Sequence, residues 1–404
     1  MRSLRNAWGV LRREGPYAVL ARTVRRVVPY TSTRPSLVAY DDAIEVDWRE
    51  PHPALSAPAT ISNEKLTVAW VMSPPGANSG GHQNIYRFMR FLEEAGHEVR
   101  VYLYSTFDPH TPEDVRRRVT TSSSYADVAA RIERYPEQGL PDDVDVLVCT
   151  SWETAYRSYR DTSRARRIYF VQDFEPAFYP TSSESVLAEN TYRFGFPGIT
   201  AGGWLAEKLA RDYGMPTESF DFGADSSTYH LTNRGDRRSV FFYARPETPR
   251  RGFELGAMAL DLFARERPDH EIVLAGQNLS RLDVPFAHRS AGNMQVGDLN
   301  ALYNRCAAGL VMSLTNMSLL PLELLASGVI PVVNDAENNR LVSDNPFISY
   351  APATPRALAD AMLEVVDRPD LAAHAIRASE SAAPLDWSAS GAQFLAAFER
   401  IVRG

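Results

Sequence analysis

Val311-Met-Ser-Leu-Thr315-Asn-Met-Ser-Leu-Leu-Pro321-Leu-Glu323-Leu-Leu-Ala-Ser-Gly328-Val-Ile-Pro331-Val-Val-Asn-Asp335 decides how this chain is read. An apolar run gives way to a polar loop, a short helix bearing Glu323, a glycine stop at Gly328 and a second apolar run. The pattern is strand, loop, helix, strand. A loop that feeds a helix start offers unpaired backbone N–H groups at the positive end of a dipole, a setting that suits phosphate. One turn inside, Glu323 is placed to accept hydrogen bonds from two neighbouring hydroxyls, as on a ribose. Phosphate beside such a carboxylate implies a nucleotide, one that carries a sugar.

The same alternation extends through the chain. Leu66–Met72 is an apolar strand, residues 73–81 form a loop with Gly80 and Gly81, and Ile85, Phe88, Met89 and Leu92 mark one face of a helix. Gly96 ends that helix and a strand follows at Glu98–Tyr104. Further strands are expected at Val144–Cys149, Arg167–Val171, Gly198–Ala201, Ser239–Ala244, Glu271–Ala275, Met294–Val296, Ala308–Met312 and Ile330–Val333. Strands alternating with helices imply α/β architecture with parallel, doubly wound sheets. At 404 residues the chain exceeds one ordinary core. The expected division is residues 1–63 as extension and linker, 64–222 and 223–385 as two Rossmann-like domains, and 386–404 as a C-terminal helix that crosses back to the first domain.

Composition narrows the function. The 44% apolar and 23% charged content is that of a soluble globular chain, and the net charge of −7 argues against nucleic-acid binding. Cys149 and Cys306 are too few for a disulfide framework, which favours a reducing, cytoplasmic setting. No run is long enough to span a bilayer. Residues 1–35 carry eight arginines against the single acid Glu14, interleaved with Trp8, Leu11, Tyr17 and Leu20. That composition suits an amphipathic helical extension on an anionic membrane surface, or one packed on its own protein.

Several clusters carry chemistry. Gly80 and Gly81, with His82 at the helix start, let backbone approach a ligand at a strand's C-terminal end. Arg245, Arg250 and Arg251 follow the first strand of the second domain, where guanidinium forks suit phosphate oxygens and a departing diphosphate. Gln172, Asp173 and Glu175 follow an apolar strand, placed to orient sugar hydroxyls, with Phe174, Phe178 and Tyr179 available to stack on sugar faces. Asp143 and Asp145 precede their strand and so lie at the wrong edge for a metal pair. No other cluster offers metal ligands, and none is expected.

Taken together, Gly80-Gly81-His82, Arg245 with Arg250 and Arg251, Gly297 and the Pro321–Pro331 block resemble the GT-B glycosyltransferases, in particular the large retaining family that includes sucrose synthases. Val171–Pro180 and Ala201–Leu205 resemble more closely the WsaF-type bacterial rhamnosyltransferases. The resemblance covers residues 64–402. It implies two facing Rossmann-like domains and metal-free retaining transfer, without a cofactor, from a nucleoside-diphosphate sugar, dTDP-β-L-rhamnose by preference. The acceptor would be a glycan or lipid-linked glycan of the bacterial surface, met on the inner face of the membrane. Arg245, Arg250, Arg251 and Asp173 would act at the reacting centre. Gly80, Gly81, Val296, Gly297, Thr315, Ser318, Leu319 and Glu323 would bind donor, and His82, Gln172 and Glu175 would orient the sugars. Thr315 stands where the family has the first of two glutamates, a change that fits a 6-deoxy sugar. The other readings are a non-catalytic nucleotide-sugar-binding assembly protein and a GT-B nucleotide-sugar epimerase.

Overall fold

The computed structural model describes residues 38–50, 61, 63–76, 79–106, 110–122, 124–277, 279, 284–384 and 386–404. The basic segment expected to form a helical extension lies outside them.

The strands of the first domain are β1 (Thr67–Met72), β2 (Glu98–Leu103), β3 (Arg131–Arg134), β4 (Val146–Cys149), β5 (Arg166–Val171), β6 (Gly198–Ala201) and β7 (Thr217–Phe220). They form one parallel sheet in the order β3-β2-β1-β4-β5-β6-β7. The second domain holds β8 (Ser239–Tyr243), β9 (Glu271–Ala275), β10 (Arg289–Gly292), β11 (Cys306–Val311), β12 (Ile330–Asn334) and β13 (Ser349–Ala351) in the parallel order β10-β9-β8-β11-β12-β13. Helices cover both faces, so central strands such as β4, β11 and β12 are buried at every residue. In each sheet the winding reverses once, at β1/β4 and at β8/β11. Open α/β sheets bind ligands at that point, beyond the strands' C-terminal ends.

Four strands, β3, β7, β10 and β13, escaped the sequence reading, and all four are sheet edges. β3 and β7 each have one buried residue, Ile132 and Phe220, and read as polar because they are sheet edges. The strand expected at Met294–Val296 is a correction. Gly292, with φ of 61°, ends β10, and Val296 instead opens a helix, Val296–Tyr303. Its buried Leu302 and Tyr303 follow helical spacing from Val296 and Leu299, which three residues alone could not reveal.

Gly328 stops the Leu320–Ala326 helix with φ of 75°, and a Cβ there would lie 2.6 Å from Leu231 and 2.9 Å from Arg237. Both conformation and space demand glycine.

Helix Trp387–Arg403 packs on the first domain. Phe394 meets Phe88 at 4.7 Å and Trp70 at 6.4 Å, and Arg166 donates to the carbonyls of Ile401 and Val402. Burying Phe394 and Phe398 contributes about 1.5–3 kcal/mol each. The outgoing linker passes beneath this return, and a Cβ on Gly223 would sit 2.8 Å from the backbone of Asp386 and Trp387. Two covalent crossings therefore join the domains at one place. Residues 38–50 strap the first domain's outer side: Arg157 pairs with Asp42, and Tyr159 donates to the carbonyl of Glu50.

The C-terminal edges of the two sheets face each other. The Asn316 side chain, beyond β11, donates to the carbonyls of Gln172, after β5, and Ala201, at the end of β6. Arg250, after β8, pairs with Asp173 across the same gap at 3.3 Å.

Candidate functional site

The loop after β11 is held from behind by an asparagine knot. Ser313 donates its amide to Asn334, and its carbonyl accepts from Asn334, Asn338 and Asn339. The Ser313 hydroxyl donates to the carbonyl of Asn316 at 2.6 Å and accepts from Arg251 at 2.8 Å. The loop therefore reaches the cleft as a fixed shape, and among the described residues none accepts from the amides of Ser318 or Leu319. Thr315 is buried at 3% exposure, and its hydroxyl has no partner among the described residues.

Arg250 and Arg251, which follow β8, meet this loop, and Arg245 follows the same strand. Arg251 is held by Ser313, and burial pushes its guanidinium below the ordinary value, with Asp173 opposing. Arg245 donates to the Tyr243 hydroxyl at 2.8 Å. Among the described residues neither has a carboxylate within ion-pair distance. Arg250 differs: it pairs with Asp173 and stacks on Phe178 at 3.9 Å. Asp173 in turn accepts from the amides of Asn316 and Phe174, each at 2.9 Å. Its carboxylate is thus occupied in joining the domains.

Glu323 sits at the cleft floor, half-buried, with its carboxyl pushed up to about 7. Burial is the main cause; Arg87 opposes it and Asp225 adds to it. Asp225 lies on the interdomain linker, where burial raises its carboxyl but hydrogen bonds from Ser227 and Thr228 outweigh that. Gln295, Val296 and Gly297 lie at the start of their helix, beyond β10 and on the same sheet edge, with Gly297 exposed.

On the opposite wall Gly80 and Gly81 are exposed, and a Cβ on Gly80 would meet nothing within 4 Å. Packing within the protein does not explain glycine there. His82 takes a bracing position. Its Nε2 donates to the carbonyl of Ser73 at 3.0 Å, so Nδ1 is the acceptor, receiving the Ser79 hydroxyl at 2.7 Å. Burial lowers its pKa to about 4, so the ring is neutral and both nitrogens are used in closing the loop. Gln172 likewise spends its amide on the Gly81 carbonyl and on Asn84.

Glu175 corrects the sequence reading outright. It is 5% exposed, its carboxylate accepts from the Trp152 amide at 2.6 Å and from the Tyr169 hydroxyl at 3.1 Å, and burial raises its pKa well above the usual range. It supports the first domain's interior and is not presented to the cleft. The aromatics beside it are also spent: Phe174 stacks on Tyr192, and Tyr179 accepts from the Trp152 indole. Asp145 accepts from the Thr67 amide and Asp143 pairs with Arg100, both at the edge away from the cleft. Among the described residues no group of three or more His, Cys, Asp or Glu is placed to hold a metal.

Residues 115–201 match the family described as WsaF, N-terminal domain, and residues 238–363 match that described as WsaF, C-terminal domain. The two matches take in more than half of the chain. It belongs to the WsaF family. The O-antigen biosynthesis protein RfbC of Myxococcus xanthus is 32% identical over 352 residues, which cover 84% of this chain and 28% of RfbC. The chain thus spans little more than a quarter of that relative. Anabaena Alr3699/HepE, solved in complex with UDP and glucose, matches with a TM-score of 0.62 at 14% identity, over 83% of this chain and 99% of that one. A putative UDP-N-acetylglucosamine 2-epimerase from Listeria monocytogenes matches with a TM-score of 0.53 at 13% identity, over 83% and 96%. Identities this low establish the fold, and the fold is GT-B.

The WsaF-family cleft includes residues that the sequence reading missed. Asn84 and Arg87 lie on the helix Gly80–Glu94, among residues that otherwise signal only a buried face. Asp225 and Tyr229 belong to the linker. The cluster Asn334-Asp335 with Asn338-Asn339, directly after a strand, is the one signal in the sequence that pointed to the knot.

Proposed function

We propose that this WsaF-family chain is a glycosyltransferase of O-antigen or related surface-polysaccharide assembly. It binds a nucleoside-diphosphate sugar, dTDP-β-L-rhamnose by preference, in the second domain and transfers the sugar with retention to a glycan or lipid-linked glycan. One observation carries the reading: at the second sheet's switch point Arg245 and Arg251 follow one strand and the Ser318–Leu319 amides and the Glu323 helix follow its neighbour, and among the described residues neither arginine has a carboxylate within ion-pair distance. A diphosphate supplies the missing charge, and Glu323 holds the ribose.

In the reaction, the bond between the anomeric carbon and the diphosphate oxygen breaks as negative charge collects on that oxygen. Arg245 and Arg251 stabilise the charge from fixed positions in a site closed to water. The acceptor hydroxyl approaches on the same face, and the departing phosphate oxygen takes its proton, so no protein base is required. Arg250 and Asp173 keep the two walls together while this happens.

A nucleotide-sugar panel tests the proposal by thermal shift and by turnover onto lipid-linked glycan. The expected result is stabilisation by dTDP-rhamnose above UDP-glucose, and a product whose anomeric proton coupling matches retention. Stabilisation without turnover on any acceptor would indicate the binding-protein reading. Conversion of the sugar nucleotide without an acceptor would indicate the epimerase.

A further inference from the structure

A cavity of about 610 Å³ opens on the first domain, and the reaction described above does not use it. Asp114, Arg117, Arg118 and Thr121 line it from one face of the helix Pro112–Thr121, and His110 lines it from just before that helix. Val115 and Val119 anchor the opposite face in the core. The lining is cationic. Arg118, half-buried, spends two of its five N–H groups, on the Pro75 carbonyl at 2.5 Å and on His110 Nε2 at 2.6 Å. Arg134, at the end of β3, donates to the His110 carbonyl at 3.2 Å and so fixes that backbone as well. The carboxylate in the lining, Asp114, is already engaged: it closes the capping box with Thr111 and pairs with Arg117 at 2.7 Å. Among the described residues Arg118 has no carboxylate within ion-pair distance. Two arginines against one engaged carboxylate, in a hollow of ligand-binding size, suit an anion.

The cavity also lies on the reacting edge of the sheet. Its helix follows β2, Arg134 ends β3, and Pro75 belongs to the loop that runs from β1 to Gly80 and Gly81. Tyr125 donates to the Gly76 carbonyl of the same loop. In the order β3-β2-β1-β4 the cavity stands outward of the β1/β4 switch point by one to two strands. At the usual strand spacing that is about 5–10 Å, room for roughly one or two sugar units.

We propose that Arg117 and Arg118 bind the phosphate of a phosphate-linked acceptor, so that the chain adds its sugar to a short glycan close to that phosphate and not to the distant end of a long one. The inference rests on the transfer reaction proposed above and adds to it the acceptor's charge and length.

Phenylglyoxal labelling of the full chain, read arginine by arginine by mass spectrometry, tests this without relying on turnover. Undecyl glucosyl diphosphate should lower labelling of Arg117 and Arg118 several-fold, and neutral undecyl glucoside should not. Unchanged labelling with the diphosphate, or equal protection by the glucoside, would overturn the anion site. Protection by inorganic diphosphate at the same concentration would assign the cavity to a free anion and overturn its role towards the acceptor. Arg117→Gln alters an exposed side chain whose contact is Asp114. It should raise the concentration that half-protects Arg118 by about tenfold, the scale of a charge-assisted hydrogen bond, and Arg117→Lys should restore part of the loss. No change in Arg117→Gln would remove that arginine from the site. In turnover, KM should rise about tenfold when the phosphate-linked glycan is lengthened from a disaccharide to a decasaccharide, and a KM independent of length would overturn the preference for a short acceptor. Protection with no sugar transferred to any acceptor would sink the transferase reading and leave the anion site standing.

Discussion

At the scale of single residues, two half-buried titratable groups, Glu323 and His82, have pKa values displaced in opposite directions. Glu323 has a folded-state pKa of about 7, above the ordinary 4.5, so the folded chain keeps a proton that the unfolded chain has lost. Its destabilising effect is absent below about pH 4.5 and complete above about pH 7. Glu323→Gln should therefore raise the Tm of the ligand-free protein most at pH 8, with an advantage that shrinks towards pH 5, while abolishing tight nucleotide binding. A Tm difference that does not vary with pH would place the carboxyl in solvent. His82 runs the other way. Its pKa of about 4 lies below the ordinary 6.5, so stability is lost as pH falls through that window and the neutral ring must be charged. His82→Gln should flatten the acid limb of the stability curve. Arg245, anchored among the described residues by Tyr243 alone, is the residue whose charge is best placed for a leaving diphosphate. Arg245→Ala should lower kcat by on the order of 10²–10³ with a much smaller change in donor Kd. Equal losses in kcat and Kd would make it a binding residue.

At the scale of elements, the loop 313–318 is the part on which the site depends. Its backbone is clamped by Asn334, Asn338 and Asn339, and Asn316 then fastens it to the first domain. Asn338 sits buried, so Asn338→Ala leaves the Thr315 carbonyl without its donor among the described residues, at a cost of about 1–3 kcal/mol, while Ser313 keeps Asn334 and Asn339. Urea unfolding should show that loss together with weaker donor binding. Asp173→Asn retains an acceptor for the Asn316 amide but removes the charge that Arg250 faces. Small-angle scattering should then show a wider average separation of the domains; an unchanged profile would mean that Asn316 alone holds them.

At the scale of the whole molecule, closure of the cleft depends on the return helix. Gly391 lies so close to Phe91 that a Cβ would meet its ring at 2.6 Å. Gly391→Val should cost about 1–3 kcal/mol by overpacking and loosen the helix Trp387–Arg403 from the first domain. The expected signs are a lower Tm and a higher donor KM, although no donor-binding residue has been changed. Among the described residues no helix is long and apolar enough to cross a membrane. Deleting the arginine-rich residues 1–35 tests the expectation that they lie on an anionic membrane surface: binding to anionic vesicles should weaken while turnover on a soluble acceptor is spared, and unchanged vesicle binding would defeat it.

The parallel α/β architecture was legible in the order of apolar runs and loops, because a strand buried on both faces must be apolar throughout. Gly328, Arg245, Arg251 and the Glu323 helix could likewise be located, since conformation and chemistry restrict which residues can stand there. The fate of a polar side chain was not legible. Gln172, Asp173 and Glu175 are near neighbours after one strand, yet one braces a loop, one ties the domains and one is buried inward. Sequence determined that carboxylates and arginines would gather at the strand ends. Only the tertiary structure decided which of them kept free hydrogen-bonding capacity, because that depends on groups brought near by chain distant in sequence, as Asn316 is to Asp173 and Ser313 to Arg251.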